Sequence, residues 1–400
     1  MKPTSTTEIP SSEEPLFSVI VVTYMQRHLL NDCLDSIFKQ TYPNIELVIC
    51  DDCSADFDEE DVRAYIDENK EENIRSVRIF KHPHNVGTVQ NAQTGVELSS
   101  GEFFKLQAGD DMLYGEEALE KMAKILQNPT VHIIAARSIA CQHDGTMTGT
   151  CYPGYNAVNS MIAADAQRQF ELIGTQSWGE FINAPAVFWK RAFFDEMGGF
   201  DLSYKYTEDW PMWLKITHAG YRITMVNELV SVYRYGGISN DRSATNMILG
   251  KAHYEECIRM LKEYALPIFE QAGNRQKIMR CKQSICCLEV RIDAEDQWEY
   301  WTCWQQILWR LKHLKFLLIS WLYRKRYYGA SVRKKGLLTA MAISMLMYMF
   351  HVQIIPGYSA DVLWAVAFFA SAIWLFVKLA FVGCIRLLNF ILDIAKRGDN

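Results

Sequence analysis

The sequence lacks the features of secreted, nucleic-acid-binding and disulfide-rich proteins. Residues 1–15 contain no apolar run, so we predict no secretory signal but a disordered lead-in and a cytosolic amino-terminal part. The formal net charge of −6 argues against a nucleic-acid partner. Eleven cysteines in a chain without a predicted signal peptide are expected to be reduced thiols. Cys50 and Cys53 have the CxxC spacing, but no second such pair or histidine pair lies nearby, so a zinc or redox site is not predicted.

Acidic residues are absent between Tyr300 and Ala360. This stretch is instead basic and rich in tryptophan and tyrosine, a combination typical of helices at an anionic membrane surface. Nucleic acid is the competing partner for a basic run, and the apolar sequence that follows favours the membrane. We therefore predict a helical region over residues 241–335 with a basic, Trp-rich, membrane-proximal part.

Two apolar stretches, Leu337 to Ile355 and Val362 to Val377, follow on either side of a Pro-Gly turn. About 20 apolar residues span a bilayer, so residues 336–400 are predicted to form a membrane-inserted hairpin. Basic residues flank both ends of the hairpin. The positive-inside rule then predicts attachment to the cell inner membrane, with the amino-terminal domain facing the cytoplasm. The alternatives are a re-entrant or interfacial helix pair, or a hydrophobic helix packed on a partner subunit in a homo-oligomer.

Strand and helix patterns alternate four times in the first part of the chain. Short apolar runs rich in β-branched residues occur at residues 17–24, 45–50, 77–80 and 103–106, with helical patterns between them. This alternation is typical of a mostly parallel sheet with covering helices. We therefore assign residues 16–240 to an α/β domain and expect an all-α region after it.

Pairs of polar residues follow three of these strands. They are Thr23-Tyr24, Asp51-Asp52 and Asp110-Asp111. Because right-handed crossovers place the carboxyl ends of parallel strands at one edge, we expect these pairs to line one cleft suited to a nucleotide. Asp110 and Asp111 repel each other, and Mg²⁺ or Mn²⁺ shared with substrate phosphates would relieve that repulsion. The alternative for this pair is a solvated Gly-Asp turn.

The later half of the domain is less regular. A polar loop is predicted from about residue 143 to 178, long enough to suggest a function. Farther on, Glu208-Asp209 precedes a helical pattern. Asp209 is predicted either to cap that helix or to act as a general base at the mouth of the cleft. Arg234 ends a last strand and could reach a diphosphate, or be an ordinary surface residue.

Several motifs in one order resemble family 2 inverting glycosyltransferases. The similar segments are Phe17–Tyr24, Ser36–Pro43, Asp51-Asp52, Asn85–Gly87 and Gly101–Asp111 in the nucleotide-binding half, and Gly198–Asp201 with Glu208-Asp209 in the acceptor half. The resemblance extends from residue 16 to about residue 240. Its specificity comes from the order of the motifs, since each alone is weak.

This resemblance implies a GT-A fold, a nucleotide-diphosphate sugar donor and a divalent metal, Mg²⁺ or Mn²⁺. It also implies roles by position. Thr23 and Tyr24 line the cleft, Asp52 or Asp51 contacts the base and ribose, and Asp110 and Asp111 contact the ribose, diphosphate and metal. Asp209 is the catalytic base, and Arg234 assists the leaving diphosphate.

Two positions depart from the family pattern. Ala108 stands where the family has the first aspartate of Asp-x-Asp, which leaves the metal ligand open between Asp110 and Asp111. Met25 stands where an asparagine is usual. The Gln-x-x-Arg-Trp signature of processive polymer synthases is absent from the sequence, so transfer of a single sugar is expected.

The sequence thus predicts a membrane-attached, metal-dependent inverting glycosyltransferase of polysaccharide biosynthesis. Its acceptor would be a hydroxyl of a lipid-linked or cell-surface glycan. Two alternatives stay open. One is a polyprenyl-phosphate glycosyltransferase, whose phosphate acceptor needs little help from a base. The other is a catalytically degenerate membrane scaffold, suggested by the missing first aspartate.

Overall fold

Apolar strands that are buried on both faces form the centre of the fold, a mixed sheet covered by helices. The computed structural model describes residues 14–176, 181–236 and 244–297. In these residues the strands are β1 (Phe17–Thr23), β2 (Ile45–Asp51), β3 (Ile74–Lys81), β4 (Phe103–Ala108), β5 (Met112–Leu113), β6 (Ile133–Cys141), β7 (Met147–Tyr152), β8 (Val187–Lys190) and β9 (Thr224–Arg234).

The helices cover both faces of this sheet and continue beyond it. Within the described ranges they are α1 (Arg27–Phe38), α2 (Glu59–Asn69), α3 (Thr88–Leu98), α4 (Ala118–Leu126), α5 (Tyr155–Ile162), α6 (Ala166–Gly174), α7 (Arg191–Glu196), α8 (Asp209–His218), α9 (Ala244–Met260), α10 (Leu266–Gln271) and α11 (Arg275–Gln297). A π-helical turn, Leu261–Ala265, joins α9 to α10.

The strand order is β3-β2-β1-β4-β8-β6-β9-β5, and β7 pairs with β6. The first four strands in this order are mutually parallel, which confirms the predicted α/β class and its parallel half. β8 runs antiparallel to both β4 and β6, and β9 runs parallel to β6. The carboxyl ends of β6 and β9 therefore lie at the same sheet edge as those of β1 to β4.

Alternation along the central strand β1 divides the core into two layers. Successive side chains of a strand point to opposite faces. Val19 belongs to the buried cluster that includes Leu34 of α1, whereas Ile20 belongs to the cluster that includes Val96 of α3. Each layer removes apolar surface from water, which stabilises the fold by roughly 25 cal/mol for each Å² buried. The sheet is thus fixed from both sides, and its polar edge is left for ligands.

The prediction of a loop between residues 143 and 178 is wrong, because this segment contains β7, α5 and α6. The two helices have only 8 and 9 residues, too few for a clear apolar periodicity. α6 starts at a cap: the Asp165 carboxylate accepts a hydrogen bond from the backbone N–H of Arg168 at 2.7 Å. Short elements with polar composition were therefore hidden in the sequence.

Parts of the chain predicted to contact membrane fall outside the described residues. These are the basic aromatic stretch after residue 300 and the hairpin over residues 336–400, and the lead-in up to residue 13 is outside as well. Among the residues that are described, no helix combines the length and apolar character needed to cross a bilayer. α9, α10 and α11 lie in the region predicted to be helical.

The start of α3 is packed tightly against the segment that precedes α8. Gly87 has a φ of +91°, and a Cβ atom there would come within 2.7 Å of the Lys205 carbonyl oxygen. The Lys205 carbonyl accepts a hydrogen bond from the backbone N–H of Val89 at 3.1 Å. Glycine is therefore required at position 87 both for its backbone conformation and for space.

We predict that Gly87→Ala destabilises the protein more than Gly220→Ala. Gly220 has a similar φ, +92°, with open space around it, so its variant bears the cost of a positive φ, about 1–2 kcal/mol, whereas Gly87 also has a ψ of 165°, a combination essentially confined to glycine. Gly87→Ala must in addition displace the backbone at Lys205. Chemical denaturation of the two variants measures the difference, and equal losses would contradict the packing argument.

Candidate functional site

The carboxyl ends of β1, β2 and β4 meet at one edge because these strands are parallel and adjacent. The register pairs Thr23 with Asp51. Gly109 lies against Thr23 so closely that a Cβ atom would come within 2.9 Å of the threonine side chain. The Thr23 hydroxyl is buried without a hydrogen-bond partner in the described residues, whereas the neighbouring Tyr24 is exposed. The polar groups predicted to share this edge are therefore close together.

Asp52 anchors the loop that leads into α3. Its Oδ1 accepts a hydrogen bond from the N–H of Val86 at 2.6 Å, and its Oδ2 accepts from the N–H of Gly87 and the side chain of Asn85, both at 2.9 Å. Three donors saturate this carboxylate. Its place in the structure is thus between β2 and α3, which leaves Asp51 as the better candidate for a nucleotide contact.

Asp51 is buried and only half satisfied. One carboxylate oxygen, Oδ2, accepts a hydrogen bond from the N–H of Ser54 at 2.7 Å. The other, Oδ1, has no partner in the part of the chain that the structure describes. Burial raises the pKa of the Asp51 carboxyl above its ordinary value. A buried acceptor without a donor is unfavourable, so an N–H or O–H group of a ligand would relieve it.

Asp110 and Asp111 are both buried at the end of β4. Burial raises the pKa of Asp110, and burial together with the charge of Asp110 raises the pKa of Asp111 well above its ordinary value. One oxygen of Asp111, Oδ1, accepts a hydrogen bond from the backbone N–H of Arg234 at 2.8 Å. The pair therefore concentrates negative charge where its ionised form is poorly solvated.

Arg234 holds this pair in place from the end of β9. Its Nε donates to the backbone oxygen of Asp110 at 2.9 Å, and its guanidinium also donates to the backbone oxygen of His143 and to the carboxylate of Asp32, each at 2.7 Å. Arg234 is buried, so these contacts orient it firmly. It lies beside the acidic pair, as expected for a residue near a diphosphate, although its guanidinium is engaged with the protein.

The Asp110-Asp111 pair fits a divalent cation by the chemistry of its donors. Hard carboxylate oxygens suit Mg²⁺ or Mn²⁺, and the positive charge would offset the burial that raises both pKa values and the charge of Asp110 that further raises the pKa of Asp111. In residues 14–176, 181–236 and 244–297, no group of three or more His, Cys, Asp or Glu side chains could hold a metal ion. Two carboxylates would thus need further oxygen ligands, which Mg²⁺ usually takes from water and substrate phosphates.

Asp209 is the first residue of α8 and not its cap. The N-cap position is occupied by Glu208, and its side chain makes no capping hydrogen bond. The N-cap interpretation of Asp209 is therefore wrong. In the sequence, a carboxylate before Trp-Pro resembles a capped helix start. In the structure, this carboxylate accepts a hydrogen bond from the N–H of the next residue, Trp210, at 2.6 Å. The hydroxyl of Thr207, two residues before Asp209, forms a hydrogen bond with a ring nitrogen of His253 at 3.0 Å.

Burial also perturbs this second acidic pair. It raises the pKa of Glu208 to about 8, with a further contribution from the charge of Asp209, and it raises the pKa of Asp209 itself. A carboxylate with a raised pKa accepts a proton more readily than an ordinary one. The pair is thus suited to proton transfer.

The segment before Asp209 reaches the ligand-binding edge of the sheet. This segment, residues 197–208, is called the α7–α8 loop below. Its residue Lys205 contacts Gly87 and Val89 at the start of α3, next to the carboxyl end of β3. Asp209 follows four positions later. The acidic pair of α8 is therefore tied to the same side of the domain as Asp51, Asp110 and Asp111.

Lys105 is a residue near the site that was not predicted. It is fully buried on β4, and its ammonium donates to the side chain of Gln107 and, at 3.0 Å, to the backbone oxygen of Pro185. Burial lowers its pKa to about 8, and its charge lowers the pKa of Asp111. A lysine inside an otherwise apolar strand pattern was the available signal. Asp32 was missed because nothing on α1 distinguishes it from other exposed helix residues.

Residues 18–178 match the sequence model of the Glycosyl transferase family 2. This segment contains β1 to β4 and both of the aspartate pairs that lie at their ends. Residues 18–178 therefore form a family 2 glycosyltransferase domain. The sheet in which this domain lies is the GT-A-like, mostly parallel α/β arrangement that the resemblance implied.

Curated relatives of the family 2 domain carry glycosyltransferase names. An uncharacterized glycosyltransferase of Haemophilus influenzae is 31% identical over 117 residues, which are 29% of this chain and 45% of that protein. A PGL/p-HBAD biosynthesis glycosyltransferase of Mycobacterium bovis is 24% identical over 228 residues, 56% of this chain and 80% of that protein. The chain thus spans less than half of the Haemophilus relative.

Two solved structures are similar at low sequence identity. A mannosyltransferase of Pyrobaculum calidifontis in complex with GDP-Man and Mn²⁺ has a TM-score of 0.47 and 17% identity, covering 82% of this chain and 89% of that chain. Residues 1–349 of S. aureus TarS in complex with UDP-GlcNAc have a TM-score of 0.44 and 18% identity, covering 70% and 83%.

The two adjacent aspartates after β2 should respond differently to removal of their charge. We expect Asp52→Asn to destabilise the protein by about 1–3 kcal/mol, because it disrupts the hydrogen bonds by which a buried carboxylate holds residues 85–87. Asp51→Asn should cost little at pH 7, because it removes a buried charge whose ionised form is disfavoured. Urea denaturation of both variants measures this contrast, and an equal loss in Asp51→Asn would refute the division of roles.

The raised pKa of Glu208 predicts a loss of stability at alkaline pH. A carboxyl whose pKa rises from 4.5 to about 8 on folding favours the folded state most below its unfolded pKa, and this contribution is lost as the pH rises through about 8. The Tm of the wild type should therefore fall between pH 6 and pH 9 more steeply than that of Glu208→Gln. Parallel Tm profiles of the two proteins would contradict the assignment.

Proposed function

We propose that this chain is a metal-dependent, inverting glycosyltransferase that moves one sugar from a nucleotide-diphosphate donor to a hydroxyl group. The observation that carries the proposal is the state of Asp209. Its carboxylate is not used as a helix cap, its pKa is raised, and the loop before it packs at the sheet edge that holds Asp51, Asp110 and Asp111. A base and a set of donor-binding carboxylates on one edge suit direct displacement at an anomeric carbon.

Asp51 and the strand ends around it would bind the nucleotide. The unpaired Oδ1 of Asp51 can accept a hydrogen bond from a base or ribose, and the unpaired Thr23 hydroxyl lies in register beside it. Tyr24 is exposed next to them. Asp52 contributes indirectly, since it fixes the loop that borders this pocket edge.

Asp110 and Asp111 would hold Mg²⁺ or Mn²⁺ between the protein and the donor diphosphate. When bound, such a cation supplies positive charge to the departing phosphate oxygens. Arg234 orients the pair, because its backbone N–H donates to the Asp111 carboxylate and its Nε donates to the backbone oxygen of Asp110, and it places further positive charge beside them. The missing carboxylate at Ala108 leaves these two residues as the candidate ligands.

Asp209 would take the proton from the acceptor hydroxyl as that oxygen attacks the anomeric carbon. The new bond forms on the face opposite the departing nucleoside diphosphate, so the configuration inverts. Glu208, with a pKa of about 8, would stay protonated at neutral pH and leave Asp209 as the ionised member of the pair. A positioned base of this kind contributes typically about 10²–10⁴-fold to the rate.

A lipid-linked or cell-surface glycan acceptor is the part of the proposal that rests on the sequence after residue 300. Its basic, aromatic and apolar composition favours attachment to the cytoplasmic face of the inner membrane, where lipid-linked acceptors are within reach. A role in polysaccharide biosynthesis follows from such an acceptor.

The test combines donor binding with turnover in matched variants. UDP-GlcNAc and GDP-mannose, each with and without Mn²⁺, are added to the wild type, Asp111→Asn, Asp209→Asn and the surface control Asp67→Asn, whose carboxylate pairs with Lys70. We expect one donor to raise the Tm of the wild type in the presence of Mn²⁺. Asp111→Asn should lose that shift, and Asp209→Asn should keep it while losing roughly 10²–10⁴-fold in release of nucleoside diphosphate.

Other outcomes would favour the alternatives. Full turnover in Asp209→Asn would refute the base and point to a polyprenyl-phosphate acceptor. Donor binding without release of nucleoside diphosphate in the wild type would point to a degenerate scaffold. A donor shift that chelation does not affect would remove the metal from the proposal.

A further inference from the structure

Glu256 of α9 makes a two-point contact with the backbone just before the candidate base. Its Oε1 accepts a hydrogen bond from the N–H of Lys205 at 2.7 Å, and its Oε2 accepts from the N–H of Tyr206 at 2.9 Å. Both donors belong to the α7–α8 loop. A carboxylate that accepts hydrogen bonds from two consecutive backbone N–H groups restrains the backbone itself, and not only one side chain.

Other residues of α9 and the π-helical turn hold the same loop. They add hydrogen bonds to four positions of the segment 201–207. These contacts join His253 to Thr207 at 3.0 Å, Arg259 to the Ser203 oxygen at 2.7 Å, Glu263 to the Tyr204 hydroxyl at 2.9 Å, and Tyr264 to Asp201 at 2.7 Å. Arg259 also lies 3.9 Å from the centre of the Tyr204 ring.

The α7–α8 loop is held from the opposite side by α3. The peptide groups at Lys205 connect the two sides, because its N–H donates to Glu256 while its C=O accepts from Val89. The start of α3 is itself fixed by Asp52. The loop is therefore clamped between a helix of the family 2 domain and a helix that follows it in sequence, four residues before Asp209.

We propose that Glu256 is a positioning residue for the reaction: by fixing the α7–α8 loop it places Asp209 for proton transfer. The inference rests on the proposed function of Asp209. α9 lies beyond residues 18–178, so the helical region completes the site and does more than extend the chain. The charge of Glu256 also helps raise the pKa of Glu208, after burial and Asp209.

The experiment uses the full-length chain as wild type, Glu256→Ala, Glu256→Gln and a control, Glu270→Ala. Glu270 lies in the same helical region, but its exposed carboxylate pairs with exposed Lys282 at 3.2 Å and is not among the groups that hold the α7–α8 loop in the described part of the chain. Hydrogen exchange is measured by mass spectrometry on peptides covering residues 200–209. Mn²⁺-dependent binding and hydrolysis of UDP-GlcNAc and GDP-mannose are measured in parallel.

We expect Glu256→Ala to accelerate exchange at Lys205 and Tyr206, to leave the Kd of the donor unchanged and to lower kcat roughly 10- to 100-fold, as misplacement of a catalytic group does. Glu256→Gln keeps one acceptor oxygen, so it should restore part of both effects and serves if the alanine variant does not fold. Glu270→Ala should match the wild type in every measurement.

The proposal would be overturned by unchanged exchange in both Glu256 variants, or by faster exchange with an unchanged kcat. A loss of donor affinity equal to the loss of kcat would also overturn it, because that indicates general unfolding of the site. Asp209→Asn is measured alongside. If Asp209→Asn alone retains full turnover, Asp209 is not the base. If Asp209→Asn is inactive while Glu256→Ala has a normal kcat, only the positioning role of Glu256 is rejected.

Discussion

The carboxylate of Asp52 is the contact on which the geometry of the site depends. By accepting hydrogen bonds from three groups of residues 85–87, it fixes the end of β2 to the start of α3. That start is the surface on which Lys205 packs, and Lys205 leads directly to Asp209. One buried anion thus connects the end of β2, through the start of α3, to the loop that leads to Asp209.

Charge is distributed unequally across this frame. Asp52 accepts hydrogen bonds from three donors, while Asp51, Asp110 and Asp111 are buried and Glu208 is half-buried, and all four have raised pKa values. Such groups reduce the stability of the unliganded protein at neutral pH and become favourable when a cation, a donor group or a proton arrives. The stability that the two apolar layers provide allows the protein to keep carboxylates whose ionised forms are poorly solvated.

The parallel half of the fold could be predicted because buried parallel strands are near-continuous apolar runs, and their order places polar residues at one edge. The roles of Asp51 and Asp52 could not be separated, since two adjacent identical side chains differ only in the direction they point. Arg234 could be placed at a strand end, but its contact with Asp111 joins residues 123 positions apart. The hydrogen bonds that Glu256 accepts from backbone N–H groups cannot be predicted from the sequence, because any residue except proline supplies that donor.

The reversed direction of β8 has a consequence for how such a protein can diversify. Since β8 runs against β4, the residues that enter it, Ala184–Ala186, arrive at the edge where β4 ends, next to Ala108. Insertions or deletions ahead of β8 would alter this edge of the sheet while the register of β1 to β4 stayed intact. The length of that segment can then vary over evolutionary time without any change in the parallel half of the sheet.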